Sequence, residues 1–361
     1  MVNQVSALDL WTIFLTGFFV TLAATPLSIV LAKKTGAMDV PKDARRVHDH
    51  PVPRIGGIGI FLGIMVAYFV AIRLGLCDHP AVETSELYGV FLGGVVIFLV
   101  GLIDDIRGMR PAVKLTGQII AAVIVFAFGV NVSTFGGFLG NQVVLFDGFI
   151  SMVFTVLWII GITNTINLID GLDGLAAGVV AISTCCIAYV AYIHGNYHIA
   201  CVTMLAMAGA CMGFLPYNFY PAKTFMGDCG SQSLGFMLAV FSIMGPPVKG
   251  ATVFALLIPA LALSLPIFDT LFAIVRRLLH HRPIMEADKE HLHHRLMRTG
   301  MGQRRTVLCM YGVAAIMGTA AVLFSRGLMV ETFGLCVIAF IYLLVVLTDQ
   351  NRHGTKNKNS R

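Results

Sequence analysis

The chain has 361 residues, of which 57% are hydrophobic and only 12% charged, with a mean hydropathy of +0.83 and a formal net charge of +6. Soluble domains carry roughly a quarter charged residues, so that class is excluded and the composition is that of a polytopic membrane protein. The positive balance is accounted for by the loops, as set out next, and nucleic acid is not an expected partner.

A helix needs about 17 to 25 apolar residues to cross a bilayer. Eleven such runs occur, near 10–32, 57–75, 88–103, 115–130, 149–166, 174–194, 199–219, 232–246, 251–275, 306–325 and 329–347. The first contains Pro26 and lacks a small-residue cleavage site, so it reads as a retained helix and not a signal peptide. If the N-terminus is outside and all eleven runs cross, every one of the 25 basic residues except Arg73, Lys249 and Arg326 falls on the cytoplasmic side, as the positive-inside rule requires. Between the fourth and fifth runs, the Gly-rich segment near 131–147 alternates Val and Phe, the pattern of a short external β-hairpin. The fold class is therefore an all-α polytopic membrane protein of about eleven transmembrane helices, with a cytoplasmic C-terminus and this one external hairpin. Residues 1–348 form a single integral domain, and 349–361 a basic, disordered tail. The eight cysteines are scattered without a C-x-x-C pair and read as small apolar fillers.

The polar islands carry the chemistry. Asp104 and Asp105 directly follow an apolar run, and Arg107, Arg110 and Lys114 nearby can hold phosphate, although such charges equally serve topology. Asn164, Asn167, Asp170 and Asp173 come at steps of three. Neighbours in that series share a helix face, but three steps turn through about 900°, so the first and last diverge unless the helix breaks. Gly171 and Gly174 supply the break. Carboxylate and amide oxygens are the hard ligands that Mg2+ or Mn2+ takes, substrate phosphates completing the shell. Helix capping explains one or two of these residues but not four, and the spacing lacks the remaining ligands of an EF-hand. Phe225-Met-Gly227-Asp228-Cys-Gly230 sets an acid between glycines, where backbone can approach a ligand; Phe225 suits stacking on a base or anchoring at the interface. His291, His293 and His294 lack the extra ligands of a zinc site and suit phosphate donation or proton shuttling. Asp269, an acid inside the ninth run, is a functional candidate, with an ion pair to Arg276 an equal contender.

In order, Arg46-Val-His48 with Pro53-Arg54-Ile-Gly-Gly, Asp104-Asp105, Asn164-x-x-Asn167-x-x-Asp170-Gly-x-Asp173-Gly, Phe225-Met-Gly-Asp228-x-Gly-Ser231 and His291-x-His293-His294-Arg295 resemble the polyprenyl-phosphate N-acetylhexosamine-1-phosphate transferases, in particular the WecA-like branch. The one departure is Gly108, which stands where much of the family carries the Lys of D-D-x-x-K; Arg107 or Lys114 takes its place. The resemblance implies an Mg2+-dependent enzyme (Mn2+ as the alternative) of the bacterial inner membrane with its site facing the cytoplasm. It would move GlcNAc-1-phosphate from UDP-GlcNAc to undecaprenyl phosphate, releasing UMP, at the first membrane step of a cell-envelope polysaccharide pathway. By the same resemblance, Asp228 and Asn167 hold the metal, and Asp104, Asp105, Asp170 and Asp173 are the catalytic carboxylates, Asp104 as base and Asp173 with Phe225 toward the uracil. Asn164, Lys114, His48, Arg54, His291, His293, His294 and Arg295 bind substrate, and a homodimer is implied. A covalent aspartyl intermediate is the alternative to direct attack. Among rivals, phospho-MurNAc-pentapeptide transferase has a different histidine motif. A CDP-alcohol phosphotransferase needs an Arg shortly after Asp170-Gly that is absent, and a secondary transporter places its ionisable groups near the midplane.

Overall fold

The computed structural model describes residues 5–40, 50–77, 83–132, 134–136, 143–195, 199–244, 252–280, 291–298 and 300–358. Arg46 and His48 of the first motif lie outside them. Thirteen helices occur among the described residues: α1 (Ala7–Thr35), α2 (Gly57–Arg73), α3 (Thr84–Arg107), α4 (Pro111–Ala127), α5 (Gly148–Ile169), α6 (Leu175–Ile193), α7 (Ala200–Asn218), α8 (Gly227–Ile243), α9 (Thr252–Ala262), α10 (Ser264–Leu279), α11 (Leu292–Arg298), α12 (Gln303–Ser325) and α13 (Met329–Lys358). Two antiparallel strand pairs complete it. The first is β1 (Met38–Asp39) with β2 (Val52–Pro53). The second is β3 (Thr134–Gly136) with β4 (Val143–Leu145), the hairpin expected near 131–147.

All eleven apolar runs fall on helices, and the expectation of eleven crossings is met only in part by helix length and apolarity among the described residues. Seven of these helices are long and apolar enough to span a bilayer, or eight if one bent pair counts as a single span. The shortfall has a physical source in short helices: α2, α4 and α8 have 17 residues each, at the lower limit for about 30 Å of hydrocarbon. The ninth run is not one rod. It breaks between α9 and α10 with a bend of 85°, where Pro266 lacks the N–H that would have bonded the carbonyl of Ala262. Beyond the boundary expected at residue 349, α13 continues as helix to Lys358.

The chain is a mostly helical, multi-pass membrane protein, and small residues decide which helices meet. Helix α1 lies along α7, where a side chain at Gly209 or Gly213 would collide with the carbonyls of Phe14 and Phe18. Such close backbone approach gains dispersion contacts where lipid offers no hydrophobic drive. Helices α6, α7 and α8 form the interior, α8 packing between α3 and α5, while α12 covers α6 and α13 lies outermost. The apolar window of α7 is 72% buried and that of α13 only 11%. The site lies at one end of this bundle. There the C-terminal ends of α3, α5 and α7 meet the N-terminal ends of α4, α6 and α8.

Candidate active site

The two aspartates at the end of α3 have separate tasks. Asp105 is 4% exposed. Its carboxylate accepts hydrogen bonds from the backbone N–H groups of Asp228 (2.9 Å) and Cys229 (2.9 Å), and it sits 3.4 Å from an Arg54 guanidinium nitrogen. An acid meeting free N–H groups of a helix first turn satisfies otherwise orphaned donors and the dipole. Asp105 thus caps α8 from a neighbouring helix, and Arg54, expected on substrate, is engaged by Asp105. Gly227 makes this possible: its φ is +65°, and a side chain there would strike the Arg54 carbonyl oxygen and the Asp105 carboxylate.

Asp104 faces the other way. One oxygen accepts from the Met109 N–H at 2.6 Å and the other lies 3.3 Å from the Lys114 ammonium. Lys114 also bonds the Asp228 carboxylate. The cation missing at position 108 is therefore supplied by Lys114, from the first turn of α4, since Gly108 with φ +70° turns the chain back into that helix. Asp228 accepts further hydrogen bonds from the Asn167 amide (2.9 Å) and from Gln232 (3.3 Å), and the Asn167 amide also reaches Ser231 Oγ at 2.8 Å. Residues from three separate motifs are thus joined in one polar set.

The break expected after Asn167 spans residues 170–174, between α5 and α6, with Gly174 at φ +79°. Asp173 accepts from the Ala222 N–H at 2.9 Å, fixing the loop that leads to Phe225. That loop is also pinned by Asn218, which bonds the Gly174 N–H and the Thr224 carbonyl, each at 3.0 Å, and Tyr311 donates to the Gly174 carbonyl at 2.5 Å. Phe225 is partly buried, its backbone N–H bonded to the Pro53 carbonyl at 2.8 Å. Burial of the Asp170 carboxyl, reinforced by the charges of Asp228, Asp105 and Asp173, pushes its pKa up to about 8. Even with Asp170 protonated, the carboxylates Asp104, Asp105, Asp173 and Asp228 outnumber the cations Lys114 and Arg54 around them. That excess of hard oxygen and negative charge fits a divalent cation, which would be held by Asp228 and Asn167 with Asp170 beside them.

The histidine segment closes the site from the side of α10. Asp269 accepts from the His291 imidazole (Nδ1, 3.0 Å) and the Leu292 N–H (2.7 Å), so the intramembrane acid anchors the first turn of α11. The His293 ring packs on Gly171, where an added Cβ would lie 2.6 Å from Nε2. Neither ring nitrogen of His293 has a partner among the described residues, and burial, ahead of the charge of His294, lowers its pKa to about 3. His294 is half-buried, its ring 4.3 Å from that of His293, and Arg295 is exposed.

The structure brings together Asp104, Lys114, Asn167, Asp170 and Asp228, with the His293 ring against Gly171. It turns Asn164 elsewhere: Asn164 forms a reciprocal amide pair with Gln118, donating to it at 2.7 Å and accepting at 3.2 Å. Gln118, Gln232 and Asn218 escaped the sequence reading. The first was visible as an amide inside the apolar run 115–130, and the last as the only Asn in the run 199–219.

A sequence profile described as "Glycosyl transferase family 4" matches residues 87–246, which holds most of these groups. The chain is 36% identical to the probable undecaprenyl-phosphate N-acetylglucosaminyl 1-phosphate transferase of Bacillus subtilis, across 92% of this chain and 90% of the relative. It is 37% identical to the decaprenyl-phosphate N-acetylglucosaminephosphotransferase of Mycobacterium tuberculosis, across 94% and 89%. It is also 31% identical to the phospho-N-acetylmuramoyl-pentapeptide-transferase of Streptococcus thermophilus, across 63% and 69%. With relatives this similar over nearly its whole length, the chain belongs to glycosyl transferase family 4, as a phosphosugar transferase of the polyprenyl-phosphate N-acetylhexosamine-1-phosphate transferase family.

Proposed function

We propose that the protein transfers GlcNAc-1-phosphate from UDP-GlcNAc to undecaprenyl phosphate, at the cytoplasmic face of a bacterial inner membrane. The observation that carries this reading is the union of Asp104, Lys114, Asn167 and Asp228 in one polar set at a single end of the bundle. A phosphate oxygen of the lipid attacks the sugar-bearing phosphorus of the donor, a new P–O–P linkage forms, and the bond to the uridine-bearing phosphate breaks to release UMP. Two anionic reactants repel, so the site must offset charge as it develops. A bound Mg2+ or Mn2+, held by Asp228 and Asn167, would polarise the pyrophosphate and neutralise the leaving UMP.

The chain's own residues do the rest. Asp104, held by the Met109 N–H and Lys114, takes the remaining proton of the lipid phosphate. Lys114 keeps the two carboxylates from repelling one another and offers its positive charge to the entering phosphate. His293, its ring against Gly171, and the adjacent His294 meet the sugar phosphate, and Arg295 adds charge at the rim. Asp173 and Phe225, which share the 218–225 loop contacts, form the wall toward the uracil.

Relatives named for GlcNAc transfer extend over 92–94% of the chain, against 63% for the pentapeptide-transferase relative, which supports UDP-GlcNAc as donor. The test is UMP release by purified protein with undecaprenyl phosphate, offered UDP-GlcNAc, other UDP-HexNAc sugars or UDP-MurNAc-pentapeptide, with and without Mg2+. Release with UDP-GlcNAc and Mg2+ is expected. Release with UDP-MurNAc-pentapeptide alone overturns the donor, and no release from any donor overturns the reaction.

A further inference from the structure

Below the acidic set, three amides lie in a row within the bundle. Gln118 on α4 and Gln232 on α8 are 2% and 0% exposed, and Asn164 on α5 is half-buried. Buried amides in a membrane protein are expensive unless each is bonded. Here they are bonded in a chain with a direction. The Asn164 amide nitrogen donates to the Ile160 carbonyl (2.9 Å) and to Gln118 Oε1 (2.7 Å). The Gln118 nitrogen donates to Asn164 Oδ1 (3.2 Å) and Gln232 Oε1 (3.0 Å). The Gln232 nitrogen then donates to Asp228 Oδ2 at 3.3 Å.

The orientation of an amide is usually ambiguous, because its oxygen and nitrogen differ little in size. The Ile160 carbonyl removes the ambiguity, since a backbone carbonyl only accepts. It turns the nitrogen of Asn164 toward itself, so Asn164 Oδ1 must accept from Gln118. Gln118 then presents N–H to Gln232, and Gln232 has its oxygen occupied and only its nitrogen left for Asp228. A flip of Gln232 would set its oxygen against the Asp228 carboxylate, and a flip of Asn164 or Gln118 would set oxygen against oxygen earlier in the row.

We propose that Gln118 and Asn164 are positioning residues of the transferase, acting through Gln232 to hold the Asp228 carboxylate in one rotamer without adding charge. The proposal deepens the functional reading above and rests on it. Asn167 holds Asp228 Oδ1, whereas Oδ2 depends on Lys114, which divides its ammonium between Asp228 and Asp104; the amide row supplies a further, uncharged restraint on that same Oδ2 through Gln232. Serial hydrogen bonds in a low dielectric strengthen one another, and a reacting group displaced by a fraction of an ångström loses rate steeply.

The experiment measures kcat and KM for UMP release with full-length Gln118→Met, Asn164→Ala and the double variant, each beside wild type and with its thermal midpoint recorded. A kcat loss of about ten- to hundredfold is expected for each single variant, with KM for UDP-GlcNAc moving less than about threefold because neither residue is placed on the donor. The double variant should lose little more than either alone, since both act through one amide. A lowered midpoint with unchanged kcat, or losses that multiply in the double variant, overturns the relay and leaves the amides as packing. Should Gln118→Met not fold, Asn164→Ala probes the same row from its far end by the same kcat and KM criteria. Wild type releasing no UMP overturns the functional reading and the relay's catalytic role together; an active wild type with an unimpaired Asn164→Ala overturns the relay alone.

Discussion

The acidic set around Asp228 and the histidine segment around His293 face each other across the α5–α6 break, yet they are built on opposite plans. Both oxygens of Asp228 meet donors, from Lys114, Asn167 and Gln232, and both oxygens of Asp105 accept from backbone N–H groups. His293 is buried with neither ring nitrogen partnered among the described residues, and its segment is anchored through the bonds that His291 and Leu292 make with Asp269. The first region has its electrostatics arranged before any ligand arrives. The second keeps donors and acceptors in reserve, as a group that will meet a ligand must, because a buried polar atom without a partner is destabilising by about 1–3 kcal/mol.

The sharpest way to break this comparison is Asp228→Asn. It leaves the shape of the acidic set but removes the charge on which Lys114 and Asn167 converge, and UMP release should fall by about a thousandfold. A loss under tenfold would show that the set is scaffold and not machinery. Lys114→Met comes next, with about a hundredfold loss of kcat expected as Asp104 and Asp228 are left to repel. Nearly equal loss is expected at low and high salt, since the Lys114 and Asp228 side chains are both mostly buried, at 20% and 16% exposed; strong salt dependence would mark Lys114 as a surface charge instead.

Gly171→Ala tests the contact between the two regions. Its methyl group would stand 2.6 Å from His293 Nε2, and pushing the ring aside should lower kcat by about tenfold while the Mg2+ concentration for half-maximal UMP release stays unchanged. A parallel rise in that concentration would show that the two regions are one unit. The smallest effect concerns His293 alone. Its folded pKa of about 3 lies below the ordinary value of 6.5. Between those values the unfolded chain therefore binds the extra proton, and stability falls as pH drops below about 6.5. The midpoint of thermal unfolding in detergent should decline from pH 7 to pH 5, and His293→Asn should flatten part of that decline; an unchanged slope would place the proton-sensitive group elsewhere.

The hydropathy runs located every long helix, because lipid imposes length and apolarity on each crossing independently of its neighbours. The hairpin at Thr134–Leu145 was legible in the same local way, from alternation and glycine. The broken ninth run was less so, since Pro259 and Pro266 both lie within it and only packing decided that the chain bends between them. At the site, residue type and spacing named Asp104, Asn167, Asp170 and Asp228, because few chemistries call for clustered acids and amides at a membrane boundary. They did not divide the labour. Asp105 caps a helix, and Arg54 pairs with it. Asn164, three residues from Asn167, points into the bundle.

The sequence by itself determined that this is a polytopic membrane enzyme of a phosphosugar transferase family, with acids and amides gathered at one end, since composition, period and motif order are local properties. Tertiary structure alone decided which of those groups share a hydrogen bond. Lys114 reaches Asp228 across 114 residues of chain and Gln118 reaches Gln232 across another 114, distances over which no sequence period operates and only the packing of α3, α4, α5 and α8 brings side chains together.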